Sequence, residues 1–135
     1  MMAKWNVLVI AEADTLGSLI STLLRKEDID VTVVDSSGPG FIEAVYREIS
    51  VKRYGLILPT NNGLTPSKIL ELIPEIRNRN RDAKIIVLSG HFSADFMREL
   101  RKKGINGFLP MPFRSEDLVR KVKESLNRQD SSQKE

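Results

Sequence analysis

Short apolar runs rich in β-branched residues alternate strictly with segments of helical spacing, and this alternation is the strongest constraint on how the chain folds. The runs are Asn6 to Ile10, Val31 to Val34, Leu56 to Leu58, Lys84 to Leu88 and Gly107 to Leu109. Continuous apolar runs of this length suit strands buried on both faces of a parallel sheet. Between and after them lie five apolar stripes. The first is Leu16, Leu19, Ile20, Leu23 and Leu24; the second is Phe41, Ile42, Val45, Tyr46 and Ile49. The third is Ile69, Leu70, Leu72, Ile73 and Ile76. Phe92, Phe96 and Leu100 mark the fourth, and Leu118, Val119, Val122 and Leu126 the fifth.

Five repeats of strand then helix predict right-handed crossovers and an α/β sandwich of three layers. The flavodoxin-like strand order 2-1-3-4-5 is the common solution for such a (βα)5 chain. Local signals refine the helices. Asp14 or Thr15 is placed to cap the first helix, and Ser115-Glu116-Asp117 to open the fifth. Gly104 is a natural terminator for the fourth. Pro74 falls inside the third stripe and is expected to kink or divide that helix.

A length of 135 residues fits one domain. The expected boundaries are a single domain over 1–127 and a polar, flexible tail over 128–135. With 41% hydrophobic and 29% charged residues, the composition is that of an ordinary folded chain. The absence of cysteine excludes disulfides, thiolate catalysis and zinc–thiolate sites. His91 is the single histidine, which excludes a site built from several imidazoles. The net charge of +3 is spread among interleaved acids and bases, which reads as solvated helix faces and argues against nucleic-acid binding. No apolar run reaches the roughly 20 residues that span a bilayer. The first residues lead into a strand with no cleavage signal, so a cytoplasmic protein is expected.

In an open parallel sheet, ligands bind at the carboxyl ends of the strands. The residues there are Ala11 to Asp14, Pro59 to Gly63, Ser89 to His91 and Pro110 to Phe113. These positions resemble the receiver domains of response regulators, over about Trp5 to Asn127. Ile85-Ile86-Val87-Leu88-Ser89-Gly90-His91 and Gly104-Ile105-Asn106-Gly107-Phe108-Leu109-Pro110-Met111-Pro112-Phe113 carry the resemblance most specifically.

The resemblance implies a pocket in which an aspartate accepts a phosphoryl group, an acidic pair holds magnesium, and a hydroxyl and a lysine bind the phosphoryl oxygens. Metal and lysine offset the anionic charge in flight. In this chain the acidic pair falls on Ala11 and Glu12, and the acceptor on Thr60. Asn62 falls where a backbone carbonyl completes the metal site. Ser89 matches the hydroxyl, Phe108 the switching aromatic residue, and Met111 replaces the lysine. Pro112 and Phe113 match. The acceptor carboxylate, one of two metal carboxylates and the lysine are therefore all missing. No catalytic residue, metal site or cofactor is expected.

Plainer readings stand beside these. Glu12 suits a solvated helix start. Ser89 and His91 lack a partner acid for a nucleophilic triad. Ser36-Ser37-Gly38-Pro39-Gly40 lacks the lysine of a phosphate-binding loop and reads as a turn. Arg77, Arg79 and Arg81 read as the solvated end of the third helix. Phe96 reads as core, and Phe92 and Phe108 as either core or partner surface.

The expected function is that of a pseudo-receiver, a two-component signalling module acting through protein–protein contact without aspartyl phosphorylation. Its partner face is the fourth helix, fifth strand and fifth helix, carrying Phe92, Arg101, Lys102, Lys103, Phe108, Arg120 and Lys121. A monomer or weak homodimer is expected. Two alternatives stay open: a phosphorylatable regulator using Glu12 or Asp14 as a non-standard acceptor, and a small flavodoxin-like ligand-binding protein or enzyme.

Overall fold

The computed structural model describes residues 5–133. Five strands appear: β1 Trp5–Ala11, β2 Ile29–Asp35, β3 Leu56–Pro59, β4 Lys84–Ser89 and β5 Gly107–Pro110. All pair in parallel, in the order β2-β1-β3-β4-β5. The helices are α1 Ser18–Arg25, α2 Phe41–Val51, α3 Pro66–Arg79, α4 Ala94–Lys102 and α5 Ser115–Gln133. The flavodoxin-like α/β architecture expected from the alternation is the one observed. Within the segment expected as a polar tail, the backbone is helical as far as Gln133, and residues 134 and 135 lie outside the described residues.

Successive strand residues point to opposite faces, so the continuous apolar runs feed two cores. Leu8, Ile10, Ile57, Ile85 and Val87 meet Val45 and Ile49 of α2, Ile69, Leu72, Ile73 and Ile76 of α3, and Phe96 and Leu100 of α4. Val7, Val9, Leu56, Leu58, Ile86 and Leu88 meet Ile20 and Leu24 of α1 and Leu118, Val122 and Leu126 of α5. Each fully buried Leu or Ile among them contributes roughly 1.5–3 kcal/mol of transfer free energy.

Several local expectations change. Neither Asp14 nor Thr15 caps the first helix through its side chain. A single π-helical turn, Ala13–Gly17, precedes α1, with the Gly17 N–H donating to the Glu12 carbonyl at 2.9 Å. A Cβ on Gly17 would stand 2.8 Å from Val33 Cγ1, so this wide turn is pressed onto β2 and the contact calls for glycine. The Arg114 carbonyl accepts from the Asp117 and Leu118 amides, which makes Ser115 the first helical residue instead of the cap. Pro74 does not divide α3. Its ring lies on the exposed side while Ile73 and Ile76 are buried, so core packing on both sides of the proline keeps the helix continuous. Thr65 and Ser93 cap α3 and α4 through their hydroxyls, and Pro66 occupies the first position of α3, where its missing N–H is harmless.

Tyr54 precedes β3 and is 3% exposed; its hydroxyl donates to Glu48 Oε1 at 2.5 Å. Burial, and then the bond to Glu48, push the phenol up to about 12. The unfolded chain titrates near about 10, so it gives up this proton first. The stabilisation is full below that value and is lost as pH rises toward the folded one. Urea denaturation at about pH 9 and about pH 11 is therefore expected to show a loss of stability that Tyr54→Phe reduces. An equal loss in both proteins would contradict this assignment.

Candidate functional site

The carboxyl ends of β1, β3 and β4 place Ala11, Glu12, Thr60, Asn62 and Ser89 on one rim of the sheet. Ala11 is fully buried and lies in register with Asp35 at the end of β2. Thr60 is also fully buried, and its Oγ1 donates to the Ile10 carbonyl at 2.9 Å. The same carbonyl accepts the Thr60 backbone N–H at 3.1 Å. Thr60 Oγ1 in turn accepts the Asn62 N–H at 3.3 Å.

Asn62 and Glu12 clasp each other. The Glu12 N–H donates to Asn62 Oδ1 at 3.0 Å, and Asn62 Nδ2 donates to Glu12 Oε1 at 3.3 Å. Thr15 Oγ1 donates to the same Oδ1 at 3.4 Å. The Asn62 backbone carbonyl accepts the Ser36 hydroxyl at 2.9 Å. Gly63 follows with φ +90°, and a Cβ there would stand 2.6 Å from Ser36 Oγ, so only glycine fits this turn without displacing Ser36.

Ser89 is fully buried and closes on its own loop. Its Oγ donates to the His91 carbonyl at 3.0 Å and accepts the His91 N–H at 3.1 Å. His91 itself is exposed, and no acid approaches it within ion-pair distance among the described residues. Met111 is tied to this rim by its N–H, which donates to the Ser89 carbonyl at 2.8 Å, and the Met111–Pro112 peptide bond is cis. Its side chain packs against the core shared by α1 and α5. Thr15, Leu16, Leu19, Asn62, Met111, Pro112 and Phe113 line a groove of about 500 Å³.

Asp35 is a carboxylate that the sequence did not single out. It accepts from the Ser37 hydroxyl, the Ser37 amide and the Ala13 amide, and these bonds hold it below the usual carboxylate range. Among the described residues no three acidic, histidine or cysteine side chains gather as a metal set.

The helix–strand face expected to meet a partner holds three aromatic rings. Phe92 stacks with Phe96 at 5.9 Å between centroids and tilts against Phe108 at 5.1 Å. Phe96 is buried as expected, Phe92 is half-buried against the same core, and Phe108 is 37% exposed. Arg101 and Lys102 are exposed on α4, Lys102 pairing with Glu99. Lys103 ends that helix. On α5, Arg120 pairs with Asp117, and the Lys121 stem lies along Gly107 of β5.

At the opposite end of the sheet, Arg77 departs from the solvated role read in the sequence. Its guanidinium donates to the carbonyls of Arg81, Ala83 and Gly104 at 3.2, 2.6 and 2.9 Å and to Asn106 Oδ1 at 3.1 Å. Desolvation lowers its pKa.

The chain matches a family model described as the response regulator receiver domain over residues 7–123. The sensor kinase CckA of Brucella abortus (strain 2308) is 33% identical over 89 residues, 66% of this chain and 9% of that protein. The chain thus spans less than a tenth of that curated relative. A CheY-like response regulator receiver domain protein from Methanospirillum hungatei JF-1 superposes with a TM-score of 0.81 at 20% identity, covering 95% of this chain and 98% of that one. A two-component response regulator from Clostridium difficile gives 0.80 at 20% identity, covering 93% and 98%. At such identities the likeness is one of fold. No helix among the described residues is long and apolar enough to cross a membrane.

Proposed function

Because the chain belongs to the receiver domain family of two-component response regulators, we propose that it is a pseudo-receiver, a signalling module that works by protein contact and takes no phosphoryl group. The observation that carries this reading is Thr60. The acceptor position holds a buried hydroxyl already donating to the Ile10 carbonyl. A hydroxyl there forms no acyl phosphate.

The surroundings support the same reading. A receiver's magnesium takes oxygen ligands, several of them anionic. Here Glu12 supplies one carboxylate, and an oxygen of it accepts from the Asn62 amide. The Asn62 carbonyl is occupied by the Ser36 hydroxyl. The residues present do not fit the metal. Met111 brings an apolar, adaptable side chain where the family has a cation. The output surface is the α4–β5–α5 face, where Phe92 and Phe108 form an aromatic pair and Arg101 and Lys102 are exposed at the end of α4. A two-state element shifts only when something binds its states unequally, so here the bias falls to a protein partner.

The test is incubation with acetyl phosphate and magnesium, followed by intact mass. An unchanged mass is expected. Calorimetry with magnesium alone is expected to show no saturable binding at or below about a millimolar Kd, roughly −4 kcal/mol. A phosphoryl adduct on Glu12 or Asp14 would replace this reading with that of a regulator using a non-standard acceptor.

A further inference from the structure

An asparagine side chain is most open to attack by the next backbone nitrogen where glycine follows it, because glycine shields that nitrogen with no side chain. The chain has two such pairs, Asn62-Gly63 and Asn106-Gly107. The fold treats them differently.

Asn106 is locked into the sheet. Its N–H donates to the Ile85 carbonyl, its Oδ1 accepts from the Ile85 N–H and from Arg77, and Gly107 begins β5. Asn62 and Gly63 instead lie in a bend outside strand and helix. Gly63 is exposed, and its N–H donates to no acceptor among the described residues. The Ser36 hydroxyl on the Asn62 carbonyl, at 2.9 Å, draws electron density from this peptide and makes the Gly63 N–H more acidic.

The clasp described above also has the parts of a catalyst. Glu12 N–H at 3.0 Å and Thr15 Oγ1 at 3.4 Å donate to Asn62 Oδ1, the atom where negative charge gathers when the amide carbon is attacked. Glu12 Oε1 lies 3.3 Å from Asn62 Nδ2, and Glu12 Cγ would stand 3.2 Å from a Cβ on Gly63. One carboxylate side chain therefore adjoins both the attacking residue and the departing nitrogen.

We propose that Asn62 is a self-deamidation site in which Glu12 moves the proton. Gly63 N bonds to Asn62 Cγ and gives its proton to the Glu12 carboxylate. The Glu12 N–H and the Thr15 hydroxyl hold the oxyanion on Oδ1. As the oxyanion collapses, the Cγ–Nδ2 bond breaks, and Glu12 returns the proton to Nδ2, which leaves as ammonia. Water then opens the five-membered imide at either carbonyl and leaves aspartate or isoaspartate at position 62. The product sets a second carboxylate beside Glu12, so like charges replace the clasp. The reaction is independent of phosphoryl transfer at position 60.

The experiment is incubation of the full chain at neutral pH in amine-free buffer. Released ammonia is measured, and tandem mass spectrometry of peptides follows each asparagine over time. Asn62 is expected to convert several-fold faster than Asn106 in the same molecules. In urea, where both pairs lie in unfolded chain, the Asn62 rate is expected to fall and the two rates to converge. Glu12→Gln keeps the size and hydrogen-bonding capacity of the side chain but cannot take up the proton. It is expected to slow Asn62 several-fold and to leave Asn106 unchanged. The urea comparison uses the unaltered chain, so it decides the matter even where Glu12→Gln does not fold. An Asn62 that stays intact, equal rates in the folded chain, a faster Asn62 rate in urea, or an Asn62 rate that folded Glu12→Gln leaves unchanged or raises would each overturn the proposal.

Discussion

Thr60→Asp, the substitution that restores the family's acceptor, is expected to destabilise the domain by about 2–4 kcal/mol at neutral pH. The position is fully buried, and the threonine hydroxyl donates to the Ile10 carbonyl. An aspartate there removes that donor and places a second carboxylate beside the Glu12–Asn62 clasp, with no cation to offset it. Burial and the neighbouring Glu12 raise the new group's folded pKa above the unfolded value of about 3.9. The sign follows from linkage. Below about 3.9 both states are protonated and the electrostatic penalty is absent. As pH rises through the folded value, the penalty grows to its full size. Urea denaturation of parent and variant at about pH 4 and about pH 8 tests this. A pH-independent difference, or one below about 1 kcal/mol at neutral pH, would show the rim to be more accommodating than its hydrogen bonding implies.

The same logic orders the repair of the pocket. Adding Met111→Lys to Thr60→Asp is expected to return part of the lost stability, because the cation falls on the rim tied to Ser89. Thr60→Asp alone, given magnesium and beryllofluoride, is expected to leave the Ser89 and Phe108 resonances in place. The minimal set for switching is Ala11→Asp, Thr60→Asp and Met111→Lys together.

Arg77→Met is the second large effect, a loss of about 2–4 kcal/mol with the fold retained. One guanidinium gathers three carbonyls and the Asn106 side chain. Asn106 Oδ1 also accepts the Ile85 N–H at 2.8 Å, and the Asn106 N–H donates to the Ile85 carbonyl at 2.8 Å. The joint therefore links the end of α3 to the starts of β4 and β5. Methionine keeps much of the stem volume and makes none of these bonds. Lysine carries the charge without the planar fork, so Arg77→Lys is expected to recover less than half of the loss. Urea midpoints at neutral pH decide it. A loss below about 1 kcal/mol for Arg77→Met would mean that water replaces the guanidinium at these carbonyls.

The strands and most helices were legible because period-2 and period-3.6 patterns are local and are enforced by the two cores. Phe96 and the apolar stripe of α3 illustrate this, since each buried position follows from its spacing. Pro74 does not divide α3, because the rule concerns an isolated helix and the burial of Ile73 and Ile76 holds the turns on both sides of it. The start of α1 was hidden for another reason. Its wide turn answers to Val33, a residue of another strand. The family resemblance placed Glu12, Thr60, Asn62, Ser89 and Met111 on the rim without showing how they bond. Glu12 and Asn62 are 50 residues apart in sequence, and no local pattern announces an amide that clasps a carboxylate. Ser36 read as part of a turn because its partner is a backbone carbonyl, which leaves no mark in side-chain chemistry. Arg77 was misread likewise, with contacts 27 and 29 residues away.

Because one sheet separates the two cores, adjacent residues of a strand answer to different helices. Val87 belongs with α2, α3 and α4, whereas Leu88 belongs with α1 and α5. Drift in one compartment is then nearly invisible to the other, so the packing beneath α4 can change while the groove beside α1 stays as it is. Deletions are a different matter. Removing a single residue inside β4 would swap the tenants of both compartments at once, so the strands tolerate an exchange of one apolar residue for another of similar volume far better than a change of length.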